Sequence, residues 1–221
     1  MSGQAISGMR LSRISGTAVA ISSGTAAGLS GTTITLSAQA QVDLTASGAG
    51  GLDTGNRKAN ATYAIWVFTP SSGGTEGIAS LSFTNPSLPS GATDSRRVGV
   101  VVTRTDKSIP EFSQAGTSNT RDYTWNNTAS ERTVGAQLSA TAWTQDSLDQ
   151  WVPPVATQFA LSLSVTTPQG QVRAKGSTTS VTVTSQQTST FIPVNDEGWY
   201  EFRTTGTALL TVIVTGWRDE L

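Results

Sequence analysis

The feature that most constrains the fold of this chain is a strict alternation of apolar and polar residues between Thr32 and Leu44. The apolar positions are Ile34, Leu36, Ala38, Ala40, Val42 and Leu44. A period of two directs one set of side chains to a buried sheet face and the other set to solvent or a partner. No stretch sustains a 3.6-residue period, although residues 146–151 could form one helical turn. The pattern predicts an all-β protein.

Other apolar segments, separated by Gly, Pro, Asn and Ser, predict about ten strands in total. Residues 61–69 are apolar or aromatic at nearly every position, which is typical of a strand covered on both faces. Residues 191–194 and 199–203, with four turn-forming residues between them, predict a β-hairpin. Regular strand spacing without a βαβ rhythm predicts an antiparallel β-sandwich or a jelly roll.

Three regions can be distinguished along the chain. Residues 1–31 are small and polar, with scattered apolar positions and frequent glycine, and they predict an extended N-terminal arm that contains short extended pieces. Residues 32–221 form the β-sandwich region, since 221 residues suit either one large all-β domain or two small ones. If there are two, the sequence from Trp151 to Pro154 is the best boundary, which gives subdomains 32–150 and 151–221.

Composition excludes several kinds of chemistry. The chain has no Cys and no His, which rules out thiolate nucleophiles, disulfides, Cys/His zinc sites and Ser-His-Asp triads. Only 13% of the residues are charged, the net charge is -1, and Lys and Arg form no cluster, so we expect no nucleic-acid binding. We therefore expect no metal site that depends on Cys or His.

The N-terminal residues and the apolar runs bear on localisation. Met1 to Gln4 lack the charged and apolar regions of a secretory signal. No apolar run approaches the roughly 20 residues that a membrane helix needs. We therefore expect a protein that is made in the cytoplasm, without membrane insertion.

One motif has both a catalytic and a structural interpretation. Residues 50–55 read Gly-Gly-Leu-Asp-Thr-Gly and contain the Asp-Thr-Gly triplet of aspartic proteases, in which two facing loops share one proton between two carboxylates. This chain has one copy, and the nearest second candidate, Asp94-Ser95-Arg96, lacks the glycine. The alternative is a tight turn in which Asp bonds its own backbone and Gly supplies a positive φ. We interpret the motif as a structural turn made by Gly51, Asp53, Thr54 and Gly55.

Acidic pairs offer a second catalytic hypothesis, because glycoside hydrolysis uses two carboxylates that flank the scissile bond. The close pairs are Asp146 with Asp149, Asp196 with Glu197, and Asp219 with Glu220. Asp196 and Glu197 fall in the predicted hairpin loop, where turn-forming residues are expected for structural reasons. A hydrolase site built from distant strands stays open as a minor alternative.

The six tryptophans divide into two sets. Trp66, Trp199 and Trp217 lie in apolar strands and are predicted to pack in the core or at a subunit interface. Trp125, Trp143 and Trp151 have more polar neighbours. They are candidate contacts to a glycan or to a protein partner, and core packing is the alternative for each.

Five short motifs occur in a particular order: Gly51-Leu52-Asp53-Thr54-Gly55, the strand from Ala59 to Phe68, Leu88-Pro89-Ser90-Gly91, Arg96-Arg97-Val98-Gly99, and Val214-Thr215-Gly216-Trp217-Arg218. This order resembles a group of tailed-bacteriophage virion proteins, found as small appendage proteins and as modules of tail fibres. In those proteins a Gly-Leu-Asp-Thr-Gly turn precedes an aromatic strand, a Leu-Pro-Ser-Gly turn precedes a basic strand opening, and a Gly-Trp element lies near the end. The resemblance runs from about Gly50 to Trp217, and residues 122–158 match no motif of the group.

The resemblance implies a structural protein on the outside of a phage particle, as a tail fibre, an appendage or a capsid decoration. It implies a homotrimer without cofactor or catalysis, and the N-terminal arm is then expected to contact other virion proteins. A carbohydrate-binding or receptor-binding module that attaches to a host surface glycan is the second hypothesis. A polysaccharide hydrolase is the third.

Overall fold

The computed structural model describes residues 6–116, 118–129, 131–148, 151–166, 169–184, 188–194 and 199–221. These ranges contain strands and turns but no α-helix, and hence no helix with the length and apolar character to cross a membrane. The strands pair antiparallel in several small sheets. The predicted all-β class with antiparallel sheets is confirmed.

Two compact units make up the chain, the first of residues 1–123 with 220–221 and the second of residues 124–219. Strand β11 (Thr120–Trp125) begins in the first unit and ends in the second. The other strands of the first unit are β1 (Ser7–Gly8), β2 (Leu11–Arg13), β3 (Ala18–Ile21), β4 (Gly24–Ala27), β5 (Thr33–Leu36), β6 (Ala40–Asp43), β7 (Thr62–Thr69), β8 (Glu76–Ser80), β9 (Asp94–Val102) and β10 (Phe112–Ala115). In this unit β4 lies between β1 and β5, β3 between β2 and β6, and β7 between β8 and β9.

Two packed sheets form the second unit. Its strands are β12 (Thr133–Leu138), β13 (Thr144–Ser147), β14 (Ala156–Val165), β15 (Gly170–Ala174), β16 (Val181–Val183), β17 (Thr188–Pro193), β18 (Trp199–Thr204) and β19 (Leu210–Glu220). One sheet has β14 between β17 and β19, with β12 also paired to β19. The other has the order β13-β18-β15-β16. Because β14 contacts β16 and β15 contacts β17, the two sheets face each other as in a β-sandwich.

Strand β7 contains the longest run of consecutive buried residues among the strands of the first unit. All six residues from Tyr63 to Phe68 are buried, so the prediction of a strand covered on both faces is confirmed. On one face, Trp66 and Phe68 form a core cluster with Ala64 and Ile78, against which Phe83, Leu88 and Ala92 pack. Strands β8 and β9 satisfy the main-chain groups on the two edges.

The alternating stretch from Thr32 to Leu44 is divided between two strands of different sheets, β5 and β6. Its alternation still describes burial, since Ile34, Leu36, Val42 and Leu44 are buried. Ala38, however, is exposed in the connection between the strands. The alternation therefore predicts burial within each strand but not in the connection between them.

The predicted arm contributes strands β1 to β4, and residues 1–5 lie outside the described residues. Most of its apolar side chains are buried, including Ile6, Met9, Leu11, Val19 and Ile21, whereas Ile14 and Leu29 are exposed. A Cβ added to Gly77 of β8 would stand 2.8 Å from Ile21 and 2.7 Å from Val42. This close approach shows how tightly β3 and β6 pack on β8.

The predicted hairpin of residues 191–203 is wrong in its pairing. Strand β17 pairs with β14, whereas β18 pairs with β13 and β15 in the other sheet. The chain therefore changes sheets between these two strands. A short connection between alternating strands has the same local pattern in both cases, so the sequence does not distinguish them.

Three tryptophans pack together inside the second unit. The Trp125 ring lies 4.6 Å from Trp217 and 5.3 Å from Trp151 between centroids, and the Trp125 indole donates a hydrogen bond of 3.1 Å to the Trp151 carbonyl. Core packing of Trp66 and Trp217 is confirmed, since each is at most 2% exposed. Trp125 and Trp151 also belong to the interior.

Replacement of Trp125 by Ala should destabilise the second unit by about 3–5 kcal/mol, because it leaves a large cavity and removes two ring contacts. Urea unfolding monitored by circular dichroism measures the change. Phe191→Ala, in the same unit but half exposed, is the matched control and should cost less than about 1 kcal/mol. Equal losses in the two variants would contradict the central position of Trp125.

Candidate functional site

The Gly50–Gly55 motif forms an additional partner for strand β8. The Asp53 amide donates to the Ala79 carbonyl and the Ala79 amide donates to the Gly51 carbonyl, each at 2.8 Å. Leu52 between them is buried and forms an isolated bridge with Ala79. The motif is thus paired along β8, and its turn leads toward β7.

The Asp53 carboxylate joins two loops. One oxygen accepts a hydrogen bond of 2.9 Å from the Ser87 amide, and the other accepts one of 3.3 Å from the Thr54 hydroxyl. The main partner is therefore a loop distant in sequence, rather than the backbone of its own turn as expected. Gly55 has the predicted positive φ, at 71°. These contacts give Asp53 an architectural role.

Gly51 is required by close packing. A Cβ at this position would lie 2.5 Å from the carbonyl carbon and oxygen of Ala46, a distance that backbone atoms do not permit. Its amide also donates to the Gly48 carbonyl at 2.9 Å. The close approach of the Ala46 backbone explains why residue 51 is glycine, and no ligand is needed to account for it.

Asp94, the second Asp considered for a protease pair, holds the loop between β4 and β5. Its carboxylate accepts hydrogen bonds from the Ser30 amide at 3.0 Å, from the Ser30 and Thr32 hydroxyls, and from the Ser95 amide at 2.8 Å. Gly28 permits this approach, since a Cβ there would overlap the carboxylate. Asp94 is therefore an anchor of the loop onto the start of β9.

The environment of Asp94 changes its acidity. Burial alone raises the pKa of this carboxyl, but the hydrogen bonds from Ser30, Thr32 and Ser95 stabilise the charged form more strongly and lower the pKa to about 2. The ionised Asp94 carboxylate is thus stabilised by hydrogen bonds from groups of the protein itself. It is not held in the protonated state that a shared-proton dyad requires.

The acidic pairs are only partly described, because Asp149, Asp196 and Glu197 lie outside the described residues. Asp146 accepts a hydrogen bond of 2.9 Å from the Tyr200 hydroxyl. Burial raises the pKa of Tyr200, and the charge of Asp146 and this hydrogen bond raise it further. Among the described residues, no group of three or more Asp or Glu side chains is arranged to hold a metal ion.

The three tryptophans that the sequence predicts as glycan or partner contacts have different surroundings. Trp125 and Trp151 are 3% and 4% exposed and fill the interior of the second unit. Trp143, just before β13, is partly exposed. Trp199 at the start of β18 is also partly exposed, so the prediction that it packs in the core is wrong, and the alternative of a subunit interface stays a prediction.

Trp143 belongs to the outer face of the β13-β18-β15-β16 sheet. Along β18 the side chains of Tyr200, Phe202 and Thr204 are buried, whereas Trp199, Glu201 and Arg203 alternate with them and are exposed or partly exposed. We call the exposed side of this sheet the Trp143 face; it consists of Trp143, Gln171, Arg173, Lys175, Thr182, Trp199, Glu201 and Arg203. Strand pairing brings these residues together from four segments of sequence.

Two guanidinium groups lie over the Trp143 ring. The Cζ atom of Arg173 is 4.0 Å from the ring centroid and that of Arg203 is 4.7 Å from it. Arg173 also forms an ion pair of 2.6 Å with Glu201, so its side chain is fixed on two sides. Such cation–π contacts stabilise an exposed aromatic side chain by about 0.5–1 kcal/mol each.

Hydrogen bonds continue the arrangement across neighbouring strands. The Arg203 Nε donates to the Gln171 side-chain oxygen, and the Gln171 amide nitrogen donates to the Thr182 hydroxyl at 3.0 Å. Because each of these side chains is held by the next one, the polar groups of the face are oriented before any ligand arrives. The face can present an aromatic ring, cationic donors and hydroxyl or carboxylate acceptors to one ligand.

No protein-family model matches the sequence, and comparisons with curated proteins and with solved structures find no match. The Trp143 face is the functional candidate that sequence reasoning missed, apart from Trp143 itself. The signal in the sequence was polar or charged residues two positions apart, Gln171 and Arg173 in one segment and Glu201 and Arg203 in another. That spacing indicates a common face only when the pairing of β15 with β18 is known.

Asp94→Asn should lower the free energy of unfolding at pH 7 by about 2 kcal/mol, since the folded protein lowers the pKa of Asp94 from 3.8 to about 2. The stabilisation by the carboxylate is complete above pH 4 to 5 and is lost as the pH falls through 3.8 toward 2. The difference between wild type and variant should therefore shrink over that range. Denaturant unfolding at several pH values measures it.

Glu111→Gln is the matched control, because this carboxylate in the same unit is mostly exposed and, among the described residues, pairs with Arg13 alone, at 3.4 Å. We expect a small effect from this change at any pH. A pH-independent difference for Asp94→Asn would contradict the anchoring role of the ionised carboxylate.

Asp53→Ala should destabilise the first unit by about 1–3 kcal/mol, because the Ser87 amide loses its charged acceptor. Thermal unfolding measures the effect, and we expect no catalytic activity to be lost. Thr54→Ala keeps the bond to Ser87 and should have little effect. If both variants are as stable as the wild type, the turn does not hold the Ser87 loop.

Proposed function

We propose that this protein is a structural component of the exterior of a tailed-bacteriophage particle, as a tail fibre, an appendage or a capsid decoration. The observation that carries the proposal is that four of the five motifs on which the resemblance depends are structural elements at or around β7. The fifth, from Val214 to Arg218, is part of β19. A chain whose recognisable motifs serve its architecture suits a role that is itself structural.

The contacts of these motifs support that interpretation. The Gly51–Gly55 turn pairs with β8, which is hydrogen bonded to β7. Leu88, from the Leu-Pro-Ser-Gly turn, packs on the cluster that contains Trp66 and Phe68. The Arg96–Gly99 motif is part of β9, on the other edge of β7. Three motifs that are separated in sequence therefore extend or pack on the sheet that contains β7.

The arginines of the basic motif bind main-chain groups. The side chain of Arg97 donates a hydrogen bond of 2.7 Å to the Glu220 carbonyl, and that of Arg96 donates one of 3.0 Å to the Leu221 carbonyl. Hydrogen bonds that involve a charged group contribute about 1.5–3 kcal/mol. These contacts tie residues 220–221 to β9 and support a stabilising role for the basic motif.

Docking to other virion proteins through the N-terminal segment belongs to the proposal. Four large apolar side chains are exposed in the described part of the chain, and two of them, Ile14 at 46% and Leu29 at 64%, lie before Thr32. Leu29 is in the loop that Asp94 anchors, and its amide donates to the Ser95 carbonyl at 3.0 Å. An exposed leucine on an anchored loop is suited to insertion into a partner surface. Assembly as a homotrimer is proposed as well.

Gold-labelled antibody against this chain should bind intact particles of the phage that encodes it, with label on the exterior in electron micrographs. The Leu29→Ser variant, supplied in place of the wild type, should label particles several-fold less because the docking contact is lost. Leu81→Ser is the matched control, since Leu81 is 41% exposed but lies outside the N-terminal segment. The purified chain should have the mass of three subunits by light scattering.

The outcomes separate the parts of the proposal. Absence of label from intact particles would contradict the structural role. Equal labelling of the Leu29→Ser and wild-type particles would contradict docking through this loop alone. A monomeric mass would contradict the trimer.

A further inference from the structure

The Trp143 face carries a charge that differs from that of the chain as a whole. Arg173 and Glu201 form an ion pair on this face, whereas Arg203 has the neutral Gln171 amide and no carboxylate as its hydrogen-bond partner among the described residues. The chain has a formal net charge of -1, so the face is a local excess of positive charge on a weakly acidic protein. An anionic ligand is therefore attracted to this face more than to the average surface.

The guanidinium groups retain donors for a ligand. The Nε of Arg203 donates a hydrogen bond to Gln171, and the Nε of Arg173 donates one to Glu201. The described residues provide no further hydrogen-bond partner for the terminal nitrogens of these two side chains. Arg203 is exposed, so its two terminal nitrogens can bind the carboxylate of a ligand with two parallel hydrogen bonds.

We propose that the Trp143 face binds an acidic polysaccharide, a chain of pyranose sugars that carry carboxylates. The part of the Trp143 indole that the two guanidinium groups leave exposed supplies an apolar contact for a sugar ring. Arg203 binds the sugar carboxylate. This binding activity is independent of the structural role proposed above, and either can fail without the other.

The acceptors on the face favour a sugar over a nucleic acid. Sugar hydroxyls both donate and accept hydrogen bonds, and the face offers acceptors in Glu201 and Thr182 beside the donors of Arg203 and Gln171. A sugar chain can direct hydroxyl donors to Glu201 while its carboxylate binds Arg203, whereas the backbone of DNA offers Glu201 only phosphate acceptors. An anionic polyol therefore uses the donors and the acceptors of the face together.

The dimensions of the face fit an extended ligand. Thr182, Gln171 and Arg203 are directly opposite one another on β16, β15 and β18, and Trp143 precedes the residue that pairs with Phe202. Four adjacent strands extend over about 14 Å at the usual spacing between strands. The groups therefore form a row across the sheet, long enough for a short oligosaccharide segment.

Isothermal titration of the full-length chain with polygalacturonate at about 0.15 M salt tests the proposal, because surface attraction between distant charges is screened there. Polygalacturonate should bind saturably, and its methyl ester, which has the same backbone without the charge, should bind at least about tenfold more weakly. Arg203→Gln and Trp143→Ala should each weaken binding of polygalacturonate about tenfold, as expected for the loss of one charge-assisted contact or one ring contact.

Lys107→Asn is the matched control, since it removes one positive charge from the first unit at a turn position with φ of 67° that Asn tolerates. This variant should bind as the wild type does. Arg203 is exposed, so the Arg203→Gln variant should fold normally and keeps the test valid if Trp143→Ala does not fold.

Four results would overturn the proposal: no saturable binding of polygalacturonate, equal binding of the acid and the methyl ester, equal loss in Lys107→Asn and Arg203→Gln, or tighter binding of oligothymidylate than of polygalacturonate. Equal loss in the Lys107→Asn and Arg203→Gln variants would indicate general charge attraction. Tighter binding of oligothymidylate would indicate a single-stranded nucleic-acid ligand.

Discussion

The first unit depends on the burial of β7 on both of its faces. A strand with six consecutive buried residues needs hydrogen-bonded neighbours on both edges and apolar cover above and below. Strands β8 and β9 fill the edges, and the Leu88 turn contributes to the cover of one face. Each large apolar side chain in such a position stabilises the fold by about 1.5–3 kcal/mol. The Gly50–Gly55 turn extends this sheet by pairing with β8.

Charged side chains in this protein hold main-chain segments together. Asp53 binds the Ser87 amide, Asp94 binds the loop that contains Ser30, and Arg97 binds the Glu220 carbonyl. Disulfides are excluded because the chain has no Cys, so contacts of this kind perform part of the cross-linking between loops. The same chemistry explains why an Asp-Thr-Gly motif occurs here with its carboxylate directed to a neighbouring loop.

Sequence reasoning was accurate where the environment of a segment is uniform. The strand predicted at residues 61–69 is observed at Thr62–Thr69, because a strand buried on both faces has an unmistakable apolar composition. The prediction of strand pairing was wrong where it depended on segments far away in the sequence. Strands β17 and β18 look like a hairpin locally but pair in different sheets. The alternation from Thr32 to Leu44 spans a change of sheet for the same reason. Alternation indicates which residues of a strand are buried, but it does not indicate which strand lies alongside.

By itself the sequence determined the all-β class, the exclusion of Cys and His chemistry, and the structural interpretation of the Gly50–Gly55 turn. Only the tertiary structure decided which tryptophans are exposed, which loop Asp94 anchors, and that Arg173 and Arg203 lie over Trp143. A period of two specifies which face of a strand is buried. The register between strands specifies which exposed residues become neighbours, and it is set by packing among segments that are far apart in the chain.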